Sequence, residues 1–209
     1  MKKIEIDVIS DVICPWCFLG KRRLDKALAL VDDVAVEVNW RPFFLDPTIP
    51  REGISRHEYM MGKFGAERLK TIHDPLIAAG REDGVPYEFD KITRTPNTRD
   101  AHRLIRWSHP FGKQSDVAER LFMAYWNGGL DVGDHAVLVK IADDAGMDSA
   151  DVEKKLANGA DVDAVMAEVG RAAGMGVNGV PCFVLGRKQG LMGAQPAEAL
   201  ADAIRRLAA

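Results

Sequence analysis

Two cysteines separated by two residues, Cys14 and Cys17, are the side chains in this sequence best suited to chemistry. The chain holds one further cysteine, Cys182, so the three cannot form a closed disulfide framework. In a chain of this kind a Cys-x-x-Cys pair indicates either thiol–disulfide exchange or metal binding. Exchange needs a reactive thiolate and a second thiol close enough to displace the product.

The elements predicted around the pair favour exchange. An Ile- and Val-rich stretch at 4–10 predicts a buried strand, and apolar residues at helical spacing predict a helix over 18–30. Cys14 would then lie where the helix begins, and unpaired amides and the helix dipole stabilise a thiolate there. Cys17 follows one turn later and is expected to be more buried. Cys14 is therefore the predicted nucleophile and Cys17 the resolving thiol.

A zinc half-site and an inert cysteine pair are the alternatives to exchange. Zinc would need two more ligands, and Cys182 stands alone in the sequence. The five histidines show no second pair with zinc spacing. We therefore predict no metal.

The rest of the chain predicts an α/β fold interrupted by helices. A second strand is expected at about 34–44, and strand signal returns at 181–185. Between them, from 55 to 174, every signal is helical and no strand pattern occurs. The right-handed crossover rule makes the first two strands parallel. The predicted domains are a discontinuous sheet domain, 1–48 with 175–209, and a helical insertion domain, 49–174.

Charge and hydropathy limit the class of protein. The 209 residues carry 28 Lys and Arg against 31 Asp and Glu, a net charge of −3. Nucleic-acid-binding proteins usually carry a basic excess, so no such partner is expected. No apolar run approaches the roughly 20 residues of a membrane helix. Glu5 and Asp7 interrupt the apolar residues near the N-terminus, which disfavours an export signal and favours a cytoplasmic location.

The segment Gly179-Val180-Pro181 opens the late strand signal. A proline that begins a strand is a place where a cis peptide bond can occur. An ordinary trans proline fits the local sequence too, so these residues alone leave both isomers open.

Five segments carry a resemblance to a known family, in that family's order and across nearly the whole chain: VICPWCFLGKRRL at 12–24, RPF at 41–43, NTRDAHR at 97–103, GVPCFV at 179–184 and GAQP at 193–196. Together they resemble the DsbA-like thioredoxin-fold family, and within it the cytoplasmic FrnE-type branch. The resemblance implies a thioredoxin-like fold with a large all-helical insertion. It also implies that Cys14 and Cys17 are redox-active and that Pro181 is a cis-proline.

Five residues are candidate substrate contacts. In a site of the resembled type, Val180 presents its backbone to the substrate beside Pro15 and Trp16, and the indole offers an apolar surface. His102 and Asn97, on or next to a predicted helix, would contribute if they face the dithiol, where the histidine could stabilise a thiolate or transfer a proton. The alternatives are a structural histidine and a helix-capping asparagine.

Cys182 departs from the family pattern, which usually has threonine after the cis-proline. It is interpreted either as a small buried apolar residue or as a possible third thiol near the redox site.

The predicted function is that of a cytoplasmic thiol–disulfide oxidoreductase, a reductase or isomerase of protein or small-molecule disulfides. It needs no cofactor, because the electrons reside in the cysteine pair, although glutathione is compatible as a co-substrate. Neither a nucleic acid nor a membrane is an expected partner, and the chain is expected to be a monomer or homodimer.

Two other classes of function compete with this one. The first is a glutathione-dependent isomerase or transferase of the 2-hydroxychromene-2-carboxylate isomerase or kappa class. Those enzymes usually carry serine at the position of Cys14, so the cysteine counts against them. The second is a non-catalytic chaperone or redox sensor, which nothing in the sequence requires.

Overall fold

The computed structural model describes residues 3–208, so positions 1, 2 and 209 of the predicted sheet domain lie outside it. The described residues form six strands: β1 (Ile4–Ser10), β2 (Val36–Pro42), β3 (Ile54–Ser55), β4 (Arg94–Thr95), β5 (Cys182–Leu185) and β6 (Gln189–Met192). The main sheet has the order β2–β1–β5–β6. Its first pair, β1 with β2, is parallel as predicted, and β5 and β6 complete it in antiparallel fashion.

Nine α-helices occur in the same range: α1 (Pro15–Leu30), α2 (Arg56–Leu69), α3 (Asp74–Asp83), α4 (Arg99–Ser108), α5 (Gln114–Trp126), α6 (His135–Asp144), α7 (Ser149–Ala157), α8 (Val162–Gly174) and α9 (Ala197–Ala208). Helix α1 begins at Pro15, between the two cysteines and earlier than the predicted start at 18, because a proline at the first helical position has no amide hydrogen bond to lose. Within residues 3–208 no helix combines the length and the apolar character that a membrane crossing requires.

A short second sheet shows that the prediction of no strand between 55 and 174 was wrong. In it, β3 pairs with β4 in antiparallel fashion. Strands of two residues are too short to leave an alternating pattern in the sequence. Gly53 has a positive φ of 72°, which allows the chain to turn into β3. A β-carbon at Gly53 would lie 3.0 Å from the Thr95 carbonyl.

The two faces of the main sheet carry different layers. Successive side chains of a strand point to opposite faces of the sheet, so Cys182 and Phe183 lie on different faces. Phe183 faces α1, where a β-carbon on Gly20 would lie 3.2 Å from its ring. Cys182 packs on the other face with Ile9 and with Ala172 of α8. The helix that carries the cysteine pair therefore covers one face of the sheet and α8 lies on the other.

The main hydrophobic core runs between the sheet and the intervening helices, apart from the smaller cluster of Ile9, Ala172 and Cys182. Phe18 of α1 stacks on Phe122 of α5, with ring centroids 5.2 Å apart and the planes within 5°. The predicted domain limits stay a prediction. The contact shows that the helical segment packs directly against the helix of the cysteine pair.

Candidate functional site

The sulfur of Cys14 lies where α1 begins, beside the loop that precedes β5. Cys14 is the extended residue before the helix, and its amide donates to the Asp11 carbonyl at 3.1 Å. The Cys14 thiol donates to the Val180 carbonyl, with 3.5 Å between sulfur and oxygen. The Val180–Pro181 peptide bond is cis, as the resemblance implies. The fold thus joins the cysteine pair to a backbone segment 166 residues further along the chain.

Cys17 lies within the first turn of α1, and both cysteines are buried, with Cys14 3% and Cys17 1% exposed. Burial raises the pKa of the Cys17 thiol well above its ordinary value, and the hydrogen bond and charge of Cys14 raise it further. The Asp11 amide and the Ser10 hydroxyl act in the opposite direction and lower this pKa. Both cysteines are free thiols in the structure.

The solvent side of the pair is formed by three of the predicted contact residues. Trp16 is 40% exposed, and Pro15 and Val180 are half-buried. A cavity of about 210 Å³ is lined by Ile13, the residue before Cys14, and by Met166 and neighbouring residues. This side presents a backbone carbonyl and apolar surface.

The structure does not bring His102 or Asn97 to the sulfurs. His102 is buried, with Nε2 at 3.1 Å from the Phe43 carbonyl and 3.5 Å from the Asp11 carboxylate. Asn97 borders the 210 Å³ cavity, but its side chain donates to the Ile49 carbonyl and accepts from the amide of Arg99. Both side chains therefore hold the loops around the site together.

Cys182 lies apart from the pair. Although it follows Pro181 directly, its side chain packs with Ile9 and Ala172 on the sheet face opposite α1. Burial raises the pKa of its thiol. This placement fits the interpretation as a buried apolar residue, and it gives no geometric support to a third redox thiol.

Two aromatic residues that the sequence did not mark hold the cysteine loop from the helical segment. Trp126 donates from Nε1 to the Val12 carbonyl at 2.9 Å, and Tyr87 donates from its hydroxyl to the Pro15 carbonyl at 2.6 Å. Neither Tyr87 nor Trp126 is among the candidate site residues that the sequence offers. No local pattern reveals such contacts, since the partners are 114 and 72 residues apart.

The close approach of α1 to the proline loop depends on Gly20. A β-carbon there would lie 2.9 Å from Cγ of Pro181 and 3.2 Å from the buried ring of Phe183. We expect Gly20→Ala to lower the free energy of unfolding by about 1–3 kcal/mol, the usual cost of overpacking. Because the proline loop must move away from α1, disulfide-reduction activity should fall as well. Urea unfolding and a turnover assay measure the two effects.

Gly170→Ala on α8 is the matched control, because a β-carbon at Gly170 meets nothing within 4 Å. This change should stabilise the protein by about 0.5–1 kcal/mol through helix propensity and leave activity unchanged. Equal stability changes in the two variants would contradict the packing of Gly20 against Pro181.

Fold and site together define a thioredoxin-fold protein with a dithiol at the start of its first helix. The family model for DSBA-like thioredoxin domains matches residues 5–205. The chain therefore belongs to the DsbA-like thioredoxin family, whose members are thiol–disulfide oxidoreductases and related isomerases.

The solved structures that are similar over nearly the whole chain include the following three. A probable DsbA oxidoreductase from Streptomyces coelicolor shares 32% identity with a TM-score of 0.88, covering 97% of this chain and 89% of that one. A 2-hydroxychromene-2-carboxylate isomerase gives 18% identity and a TM-score of 0.76 (98% and 96% covered). The cytosolic disulfide reductase DsbM from Pseudomonas aeruginosa gives 15% and 0.72 (98% of each chain). The last two likenesses show the fold alone.

Proposed function

We propose that this chain is a cytoplasmic thiol–disulfide oxidoreductase that reduces or isomerises protein disulfides through Cys14 and Cys17. One observation carries the proposal: the Cys14 sulfur lies at the start of α1, 3.5 Å from the Val180 carbonyl, with Cys17 buried in the first turn of the same helix. Both cysteines are shielded, with Cys14 3% and Cys17 1% exposed, so a substrate disulfide would reach Cys14 from the side formed by the 40% exposed Trp16.

The proposed reaction proceeds in two exchange steps. The Cys14 thiolate attacks one sulfur of a substrate disulfide, which forms a mixed disulfide and releases the other substrate sulfur as a thiolate. Cys17 then loses its proton and attacks the Cys14 sulfur, which releases the second substrate thiolate. The substrate gains two electrons, and the enzyme is left with a Cys14–Cys17 disulfide.

The burial of Cys17 suits this order of events. In the free dithiol, the hydrogen bond and charge of Cys14 add to burial in raising the pKa of Cys17. Once Cys14 is bonded to substrate, it no longer carries that charge. The pKa of Cys17 therefore falls at the step in which its thiolate is needed, with the Ser10 hydroxyl and the Asp11 amide supporting the anion.

The proposed substrate contacts are Trp16, Pro15 and the backbone of Val180, with Pro181 holding that backbone beside Cys14. Asn97 and His102 are not proposed as substrate contacts, because their polar atoms bond to neighbouring loops. No bound cofactor enters the proposal. Glutathione is the proposed co-substrate, with two molecules of it reducing the Cys14–Cys17 disulfide and becoming one molecule of glutathione disulfide.

The reduction of insulin by dithiothreitol tests the proposed function. Wild type should accelerate insulin precipitation, Cys14→Ser should fall to the uncatalysed rate, and the control Cys182→Ser should keep the wild-type rate. Equal rates for wild type and Cys14→Ser would overturn the proposal. If Cys14→Ser also kept tight glutathione binding by calorimetry, the glutathione-dependent isomerase or transferase class would take its place.

A further inference from the structure

The segment between α3 and α4 reaches the redox motif through Tyr87. The hydroxyl of Tyr87 donates to the carbonyl of Pro15, the residue between Cys14 and Trp16, at 2.6 Å. On the other side of Cys14, Trp126 donates to the Val12 carbonyl at 2.9 Å. Two hydrogen bonds from the helical segment therefore hold the backbone on both sides of the nucleophile.

The two donors belong to one aromatic cluster. Tyr87 packs edge-on against Trp126, with ring centroids 5.9 Å apart, and against Phe18 of α1 at 6.0 Å. Phe89 stacks on the Tyr87 ring at 5.1 Å. On the remaining side, a β-carbon on Gly80 of α3 would lie 2.9 Å from the Tyr87 ring. These contacts fix the ring, so the position of its hydroxyl is set by packing.

The Tyr87 hydroxyl remains a donor throughout the range in which thiols react. Burial raises its pKa, and the charges of Cys14 and Cys17 raise it further.

The Pro15 carbonyl and the Trp16 amide belong to the same peptide unit. A donor that bonds the carbonyl orients this unit and polarises it, which strengthens the amide as a donor. The Trp16 amide lies in the first turn of α1, where amide dipoles point toward the start of the helix and favour an anion. The Cys14–Cys17 disulfide carries no charge, so the amide dipoles at the start of α1 do not stabilise it as they stabilise a thiolate.

We propose that Tyr87 is a positioning residue whose hydroxyl holds the Pro15–Trp16 peptide so that the reduced dithiol is favoured over the Cys14–Cys17 disulfide. The inference rests on the proposed function, and it assigns to the helical segment a part in setting the redox equilibrium. Tyr87 does not contact substrate in this role. It acts through the peptide that borders the nucleophile.

Tyr87→Phe tests the proposal, because it removes the hydroxyl and keeps the ring. The protein is equilibrated with reduced and oxidised glutathione. In this equilibrium the protein dithiol and one glutathione disulfide react to give the protein disulfide and two glutathione molecules. The equilibrium constant for oxidation should rise about twofold to tenfold, the range that one net hydrogen bond represents. The alkylation of Cys14 by iodoacetamide at neutral pH should slow in the same variant.

Tyr125→Phe is the matched control. Tyr125 lies in the same cluster, 4.8 Å from Trp126 by ring centroid, and its hydroxyl donates to the Arg94 carbonyl at 3.2 Å. Burial raises its pKa as well, to about 12. Both variants should lose some thermal stability, but the control should keep the wild-type equilibrium constant.

An unchanged equilibrium constant for oxidation in Tyr87→Phe, or an equal shift of that constant in Tyr87→Phe and Tyr125→Phe, would overturn the inference. A wild-type protein that fails to exchange with glutathione through Cys14 and Cys17 would instead overturn the proposed function. The two failures are therefore distinguishable in one set of titrations.

Discussion

Replacing Cys17 with serine is expected to stop the reaction after its first exchange step. Without added reductant, one equivalent of reduced wild type should release both thiols of a small aromatic disulfide, because Cys17 displaces the second from Cys14. In Cys17→Ser the hydroxyl cannot displace a thiolate, so one thiol is released and the other stays bonded to the enzyme. Stopped-flow absorbance of the released thiol measures both equivalents.

Cys182→Ser is the control for this stoichiometry. Its sulfur packs with Ile9 on the other face of the sheet, so this variant should still release both thiols. The release of both equivalents by Cys17→Ser would contradict the assignment of Cys17 as the resolving thiol.

Replacing Arg103 with methionine is expected to cost more stability than any surface substitution. Arg103 is fully buried on α4, and its guanidinium bonds to Asp100 and to the carbonyls of Lys155 and Ala160. Burial opposes ionisation of Asp100, but hydrogen bonds from His135 and Arg103 hold its pKa below the ordinary value. Removing one member of a buried ion pair typically costs about 3–5 kcal/mol. Chemical unfolding measures the loss.

Arg120→Met supplies the comparison on the surface. Arg120 pairs with Asp116 one turn away on α5 at 3.0 Å, and both side chains are more than a third exposed. Such a pair contributes about 0.3–0.5 kcal/mol. Similar losses in the two variants would show that the bonds of Arg103 to the chain around α7 do not stabilise the fold as described.

The sequence was most informative where chemistry and local structure coincide. Cys14 follows an apolar strand and precedes an amphipathic helix, so local pattern alone located Cys14 at the start of α1. The resemblance supplied the cis bond at Pro181, which the local residues left open. The parallel pairing of β1 with β2 followed from chain handedness, which needs only the order of elements.

The supporting contacts could not be predicted in the same way. Tyr87, Trp126 and Gly20 act on residues 72, 114 and about 160 positions away, respectively, and neither periodicity nor spacing encodes such distances. The orientation of Cys182 depends on the register of β5, which places Phe183 toward α1. His102 looked like a candidate for the dithiol, yet the packing of α4 directs it to the Phe43 carbonyl.

Trapping the mixed disulfide tests most directly whether Cys14 is the sulfur that meets the substrate. Cys17→Ser is incubated with glutathione disulfide, digested without reductant, and mapped by mass spectrometry. We predict one glutathione on the peptide that contains Cys14 and none on the peptide that contains Cys182. A glutathione adduct on Cys182, or an unmodified Cys14 after full incubation, would contradict the account.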